Sequence, residues 1–145
     1  MQVAKETLAE LPAQLRLGIM RLARRLRQET PGRITPSMQS ALAVLDRHGP
    51  LTLGELAALE RVAPPSMTRV AARLEEAGLV VRTVDAVDRR VARMAVSAEG
   101  VTLLKEVRGA RDAYLAKRLR SFTPEERAVL AQALPLIERL TGDVP

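Results

Sequence analysis

Cysteine is absent from the 145-residue chain, which excludes disulfides, thiolate metal ligands, cysteine nucleophiles and thiol redox switches. Tryptophan is absent too, and one tyrosine and one phenylalanine are the whole aromatic content. A core built without them rests on Leu, Val and Ala, which pack as aliphatic ridges, so the fold is expected to be mainly helical. Histidine occurs once, as His48. Without cysteine or a second histidine for company, it reads as a helix-end residue favoured by the dipole rather than a metal ligand or general base. No apolar run approaches bilayer-spanning length, and the first residues lack the basic and apolar stretches of a secretory signal. The expectation is a cytoplasmic protein with no membrane partner.

Lysine is also scarce: Lys5, Lys105 and Lys117 are the only ones among 23 basic residues, and against 17 acids the formal charge is +6. A surplus of that sign suits a polyanion such as nucleic acid. The guanidinium fork matches phosphate and guanine edges better than an ammonium does. High genomic GC content produces the same arginine bias, so composition alone does not choose between the two.

What is present is a series of helix signals. With 47% apolar residues the chain can bury one core, and 1–145 is expected to form a single domain. Leu8, Leu11, Leu15, Ile19, Leu22 and Leu26 make one helical stripe, with Pro12 in the first turn and Arg16, Arg21, Arg24, Arg25 and Arg27 opposite. Such a helix suits a partner helix, or alternatively an anionic membrane surface. Thr30-Pro31-Gly32-Arg33 interrupts it. Thr35-Pro36 then caps a second helix carrying Met38, Ala41, Leu42 and Leu45, which stops at His48-Gly49-Pro50.

A capping box at Thr52–Glu55 opens a short third helix to about Glu60, Arg61-Val62-Ala63 turns the chain, and Pro64-Pro65 starts a fourth helix through Glu76, closed by Gly78. Short helix, tight turn and longer helix form the helix-turn-helix pattern. The period then becomes twofold over Leu79–Val84 and Val91–Val96, with the polar segment Asp85–Arg90 between them: a hairpin wing. Ser97 caps a fifth helix to about Arg120, its apolar face supplied by Val101, Leu104, Val107, Tyr114 and Leu115. Thr123-Pro124-Glu125-Glu126 opens a sixth, striped by Leu130, Leu134 and Ile137 and expected to kink at Pro135. The fold class is therefore mainly α with a small β-hairpin wing.

The candidate functional residues lie on two of these elements. On the fourth helix Met67, Val70, Ala71 and Leu74 face the core, which leaves Pro65, Ser66, Thr68, Arg69 and Arg73 outward. Hydroxyls and guanidinium groups of this kind suit base edges and phosphates in a major groove, and Arg69 can donate two hydrogen bonds to one guanine. In the wing, Asp88-Arg89-Arg90 offers arginine to the minor groove, with Asp88 paired to an arginine and fixing its direction. The plainer alternatives are the wet side of an amphipathic helix and a solvated turn.

Pro65-Ser66-Met67-Thr68-Arg69-Val70, then Leu74-Glu75-Glu76-Ala77-Gly78-Leu79-Val80, Asp88-Arg89-Arg90 and Val96-Ser97-Ala98-Glu99-Gly100 resemble, in that order, the MarR family of bacterial regulators. The resemblance spans nearly the whole chain. It implies a winged core over about 35–97 and a homodimer joined through helices at about 8–29 and 98–141, each winged unit reading half of a pseudo-palindrome in double-stranded DNA. It also implies that Arg90 is the minor-groove arginine, Asp88 its orienting partner, and Arg89 near the backbone. Members are commonly repressors released by small, often aromatic or anionic effectors bound between dimer region and winged unit. Pro64 stands where a Ser or Asp cap is usual, and the lack of cysteine argues against the peroxide-sensing branch.

The function expected is a ligand-responsive repressor. No cofactor or metal is called for, and an enzyme finds no support: there is no nucleophile–base pair, glycine-rich phosphate loop or metal-ligand cluster, and the adjacent Glu75 and Glu76 point apart. A winged-helix protein-interaction module that has given up DNA is the alternative, which the arginines at 69, 73, 89 and 90 oppose.

Overall fold

A computed structural model describes residues 8–30 and 32–142. Six helices and a two-stranded antiparallel hairpin follow one another as α1 (Leu11–Arg27), α2 (Pro36–His48), α3 (Leu53–Glu60), α4 (Pro64–Glu76), β1 (Val80–Val84), β2 (Ala92–Val96), α5 (Ala98–Leu119) and α6 (Pro124–Leu140). The mainly α fold with a small hairpin wing is the one expected. Pro31, part of the interruption after the first helix, lies outside the described residues.

Local chemistry accounts for most of the boundaries. Thr35 Oγ1 accepts the Met38 N–H at 3.2 Å, and Thr52 and Glu55 exchange both bonds of their capping box at 3.1 and 3.2 Å. Thr123 and Glu126 repeat that box at 3.1 Å in both directions. Gly78, at φ 72°, closes α4: its N–H reaches Glu75 O and the next N–H, of Leu79, reaches Leu74 O, both at 3.0 Å. The same pair of bonds ends α3, from Arg61 to Ala58 O and from Val62 to Ala57 O, but here the left-handed residue is Arg61, at φ 53°.

Two boundaries differ from the sequence reading. The first helix begins at Leu11 rather than Leu8, with Pro12 in its first turn as expected. The residue at the cap of α4 is Ala63, not Pro64, and it offers no side-chain bond; Pro64 is the first helical residue, where its missing N–H costs nothing. Helix α6 runs continuously through Pro135.

The core gathers where α2, α3, α4, the hairpin and the start of α5 meet. Met38, Ala41, Leu42, Leu45, Leu56, Met67, Ala71, Leu74, Met94 and Leu104 are all buried there. Truncating Leu42 or Leu45 to Ala removes about 2–5 kcal/mol. Strands β1 and β2 pair in the register Val80↔Val96 to Val84↔Ala92. Leu51, just before α3, adds a bridge to Met94, with bonds of 3.0 and 2.8 Å tying the wing to the helix-turn-helix.

Ser97 fastens the wing's exit to α5. Its hydroxyl donates to Gly78 O at 2.6 Å and accepts the Gly100 N–H at 3.0 Å, while its own N–H donates to Leu79 O at 3.0 Å. Gly100 lies so near this junction that a Cβ there would fall 2.2 Å from Leu79 O. On α5, Leu103 joins Leu104 and Val107 among the buried residues, whereas Val101, Tyr114 and Leu115 are half-buried. Neither α1 nor α6 has a fully buried residue: Ile19, Leu22, Leu130, Leu134 and Ile137 of their stripes are exposed.

Candidate nucleic-acid interface

Burial of Met67, Ala71 and Leu74 fixes the rotation of α4 and thereby the side it shows to solvent. Val70 is half-buried beside them. Pro65, Thr68, Arg69 and Arg73 are exposed and Ser66 is half-buried. The Thr68 hydroxyl donates to Pro64 O at 3.0 Å, which leaves its oxygen able only to accept. Ser66, Arg69 and Arg73 come together around an open depression of about 290 Å³, whose other wall is the start of α2, Thr35 and Ser37.

The wing is organised by two aspartates. Asp88 accepts three bonds from Arg90: backbone N–H at 3.1 Å, Nε at 3.1 Å and Nη2 at 3.3 Å. The pairing expected of Asp88 is present, and it directs an arginine side chain that is 90% exposed. These bonds hold the Asp88 carboxyl below its ordinary range, the Arg90 guanidinium contributing most and the Arg90 N–H next.

Asp85, expected only as part of the polar segment between the strands, is the wing's anchor. It accepts the N–H groups of Val87 at 2.8 Å and Asp88 at 3.1 Å and pairs with the Arg93 guanidinium across the hairpin. The Asp88 N–H, then Arg93 and the Val87 N–H, lower its pKa to about 2. A signal for this was present: aspartate at a strand end commonly accepts from the N–H two residues on.

The arginines divide by their partners. Arg82, Arg90 and Arg93 are paired with Glu75, Asp88 and Asp85. Arg69, Arg73 and Arg89 have no ion pair or side-chain hydrogen bond among the described residues. The Arg82–Glu75 contact, 2.6 Å between β1 and the last turn of α4, is not legible in the sequence, because the two lie on elements of different period. Arg90 and Arg82 line a separate depression with Thr52 and Leu53, so the wing and helix groups do not share one pocket. No group of three His, Cys, Asp or Glu placed to hold a metal occurs among the described residues, and none of their helices is long and apolar enough to cross a membrane.

The sequence pattern of the MarR family matches residues 34–92, the stretch from just before α2 to the first residue of β2. An HTH-type transcriptional regulator of Mycobacterium leprae is 42% identical over 138 residues, covering 94% of this chain and 96% of the relative. The chain belongs to the MarR family. The HTH-type transcriptional repressor MdtR of Bacillus subtilis is 36% identical over 113 residues, 73% of either protein. Among solved structures, a MarR family protein from Bacillus stearothermophilus superposes with a TM-score of 0.78 at 32% identity, over 97% of this chain and 99% of that one. S. aureus MepR bound to an oligodeoxyribonucleotide shares the fold, with a TM-score of 0.71 at 20% identity over 91% and 96% of the two chains. As a MarR protein the chain is one of a family of transcriptional regulators with the winged-helix fold.

Proposed function

We propose that this MarR protein is a cytoplasmic, ligand-responsive repressor that binds a pseudo-palindromic operator as a homodimer. In this reading residues 35–97 of a single domain read DNA, while helices at about 8–29 and 98–141 join the two subunits. The observation that carries it is the outward flank of α4, where Arg69 and Arg73 are exposed and unpaired among the described residues while the opposite face of the same helix is locked into the core. Free guanidinium groups beside hydroxyls suit a major groove, and Arg90, aimed by Asp88, suits a minor groove.

Three further observations support the finer points. Exposed leucines and isoleucines along α1 and α6 form apolar stripes that favour a covering partner, and a second copy supplies matching ones. An open cavity of about 610 Å³ between α1, α2 and α5 is lined by Leu26, Arg27, Gln39 and Arg111. Arg111 donates to Thr30 Oγ1 and Gln39 Oε1 at 2.8 Å each, has no carboxylate partner among the described residues, and leaves Nε buried without an acceptor there, which favours an anionic effector. Repression is the role named for the relative MdtR.

Selection of duplexes by the purified chain tests the reading, followed by titration of a selected duplex at rising salt. Affinity is expected to fall steeply with salt. Arg69→Ala should cost about 1–3 kcal/mol on the selected duplex and much less on an unrelated one. A salt-insensitive or absent interaction overturns the proposal.

A further inference from the structure

The depression between α2 and α4 differs in charge from the hollows at the start of α5, beside the α3–α4 turn and under the wing. Its lining is Thr35, Ser37, Met38, Ser66, Arg69, Val70 and Arg73, with no carboxylate. By contrast, the hollow at the start of α5 contains Glu99 and Glu106, that beside the α3–α4 turn contains Glu60, and both arginines of the hollow under the wing are already paired. Here both guanidinium groups are unpaired, and the hydroxyls of Ser37 and Ser66 have no partner among the described residues. Met38 is buried and Val70 half-buried, so apolar surface lies between the polar groups.

We propose that this depression seats one phosphodiester of the DNA backbone, with Ser37 and Arg73 as its phosphate ligands. The inference deepens the DNA-binding reading above and rests on it. Two free cations and unbonded hydroxyls around a space without acids match a monoanion that accepts several hydrogen bonds. Half-buried Val70 suits the face of the attached deoxyribose. Arg69 and Arg73 are one helical turn apart on α4 and reach the same opening. Arg69 is then left to choose a base edge while Arg73 sets the register of α4 against the strand. The contact lends α2 a place in the footprint, and Ser37 becomes a DNA-contacting residue outside the helix-turn-helix.

The test uses the full chain and a duplex it has selected, with single methylphosphonate replacements scanned along each strand. Wild type should lose roughly tenfold or more at one neutralised position per half-site. Ser37→Ala and Arg73→Ala should each weaken the native duplex and an unrelated one by similar factors. Both should be less sensitive than wild type to neutralisation at that same position, Arg73→Ala the more so because the charge is lost, and Ser37→Thr should restore the sensitivity. Arg73→Ala should lower the salt slope by about one. Circular dichroism of each variant should match wild type, since both side chains are exposed. The proposal is overturned if Ser37→Ala binds as wild type does, or if the two variants lose sensitivity at different phosphates. In either case a persisting loss of specificity in Arg69→Ala leaves the broader DNA reading intact, whereas loss of all salt-dependent binding by wild type removes both.

Discussion

Asp88 grips Arg90 through both carboxylate oxygens, Oδ1 to Nε at 3.1 Å and Oδ2 to Nη2 at 3.3 Å, while Oδ1 also takes the Arg90 backbone N–H. Side chain and main chain of one residue are thus fixed by a single acceptor two positions earlier. Asp88→Ala is expected to leave the fold unchanged and to weaken duplex binding several-fold, because Arg90 must then be ordered at the moment of binding. Anisotropy titration against a selected duplex checks it, and affinity equal to wild type would show that Arg90 needs no orientation.

Asp85 makes the wing sensitive to acid. Its pKa of about 2 lies below the ordinary 3.8, so its stabilising bonds are complete above pH of about 4 and are lost as pH falls through 2. Amide resonances of Val87 and Asp88 should follow that low transition. In Asp85→Asn the acid transition should vanish; titration of these amides near 3.8 in the wild type would contradict the assigned bonds.

Gly100 tolerates no side chain. A Cβ at this position meets Leu79 O at 2.2 Å and Val96 Cγ1 at 2.7 Å, and the former is backbone. Gly100→Ala should destabilise the protein by about 3 kcal/mol or more, since overpacking of even yielding neighbours costs 1–3. Urea unfolding measures it. An unchanged midpoint would mean that α5 does not approach the wing root this closely.

Arg61 holds a left-handed backbone at the end of α3, at a cost of about 1 kcal/mol that glycine avoids. Arg61→Gly should therefore leave stability unchanged or raise it slightly, while Arg61→Val lowers it by about 1 kcal/mol or more. Thermal unfolding of the pair separates them, and equal losses would indicate an ordinary helical conformation there.

Those features differ in how far the sequence exposes them. Helix starts at Thr35, Thr52, Ser97 and Thr123 are written within four residues, because a cap needs only a hydroxyl and the next turn. The winged core and its outward arginines follow from periodicity for the same reason. The pairing of Asp88 with Arg90 is equally local. The anchor Asp85 reaches Arg93 across the hairpin, and Glu75 reaches Arg82 from helix to strand; both need the register of Val80↔Val96 before either partner is known. The role of Gly100 is less legible still, since nothing near it in sequence announces that a backbone carbonyl from Leu79 fills the space of its missing side chain. Arg61 carries a conformation that its residue type disguises.

Ser97 has a mechanical consequence. One hydroxyl clamps the carbonyl that follows α4 and an amide in the first turn of the 22-residue α5, leaving no slack between them. Helix α5 spans about 33 Å at 1.5 Å per residue, so tilting it by about 5° displaces one end by about 3 Å relative to the other. The winged unit must travel with that lever as one piece, and any flexing between the two has to occur at the far end of the shaft.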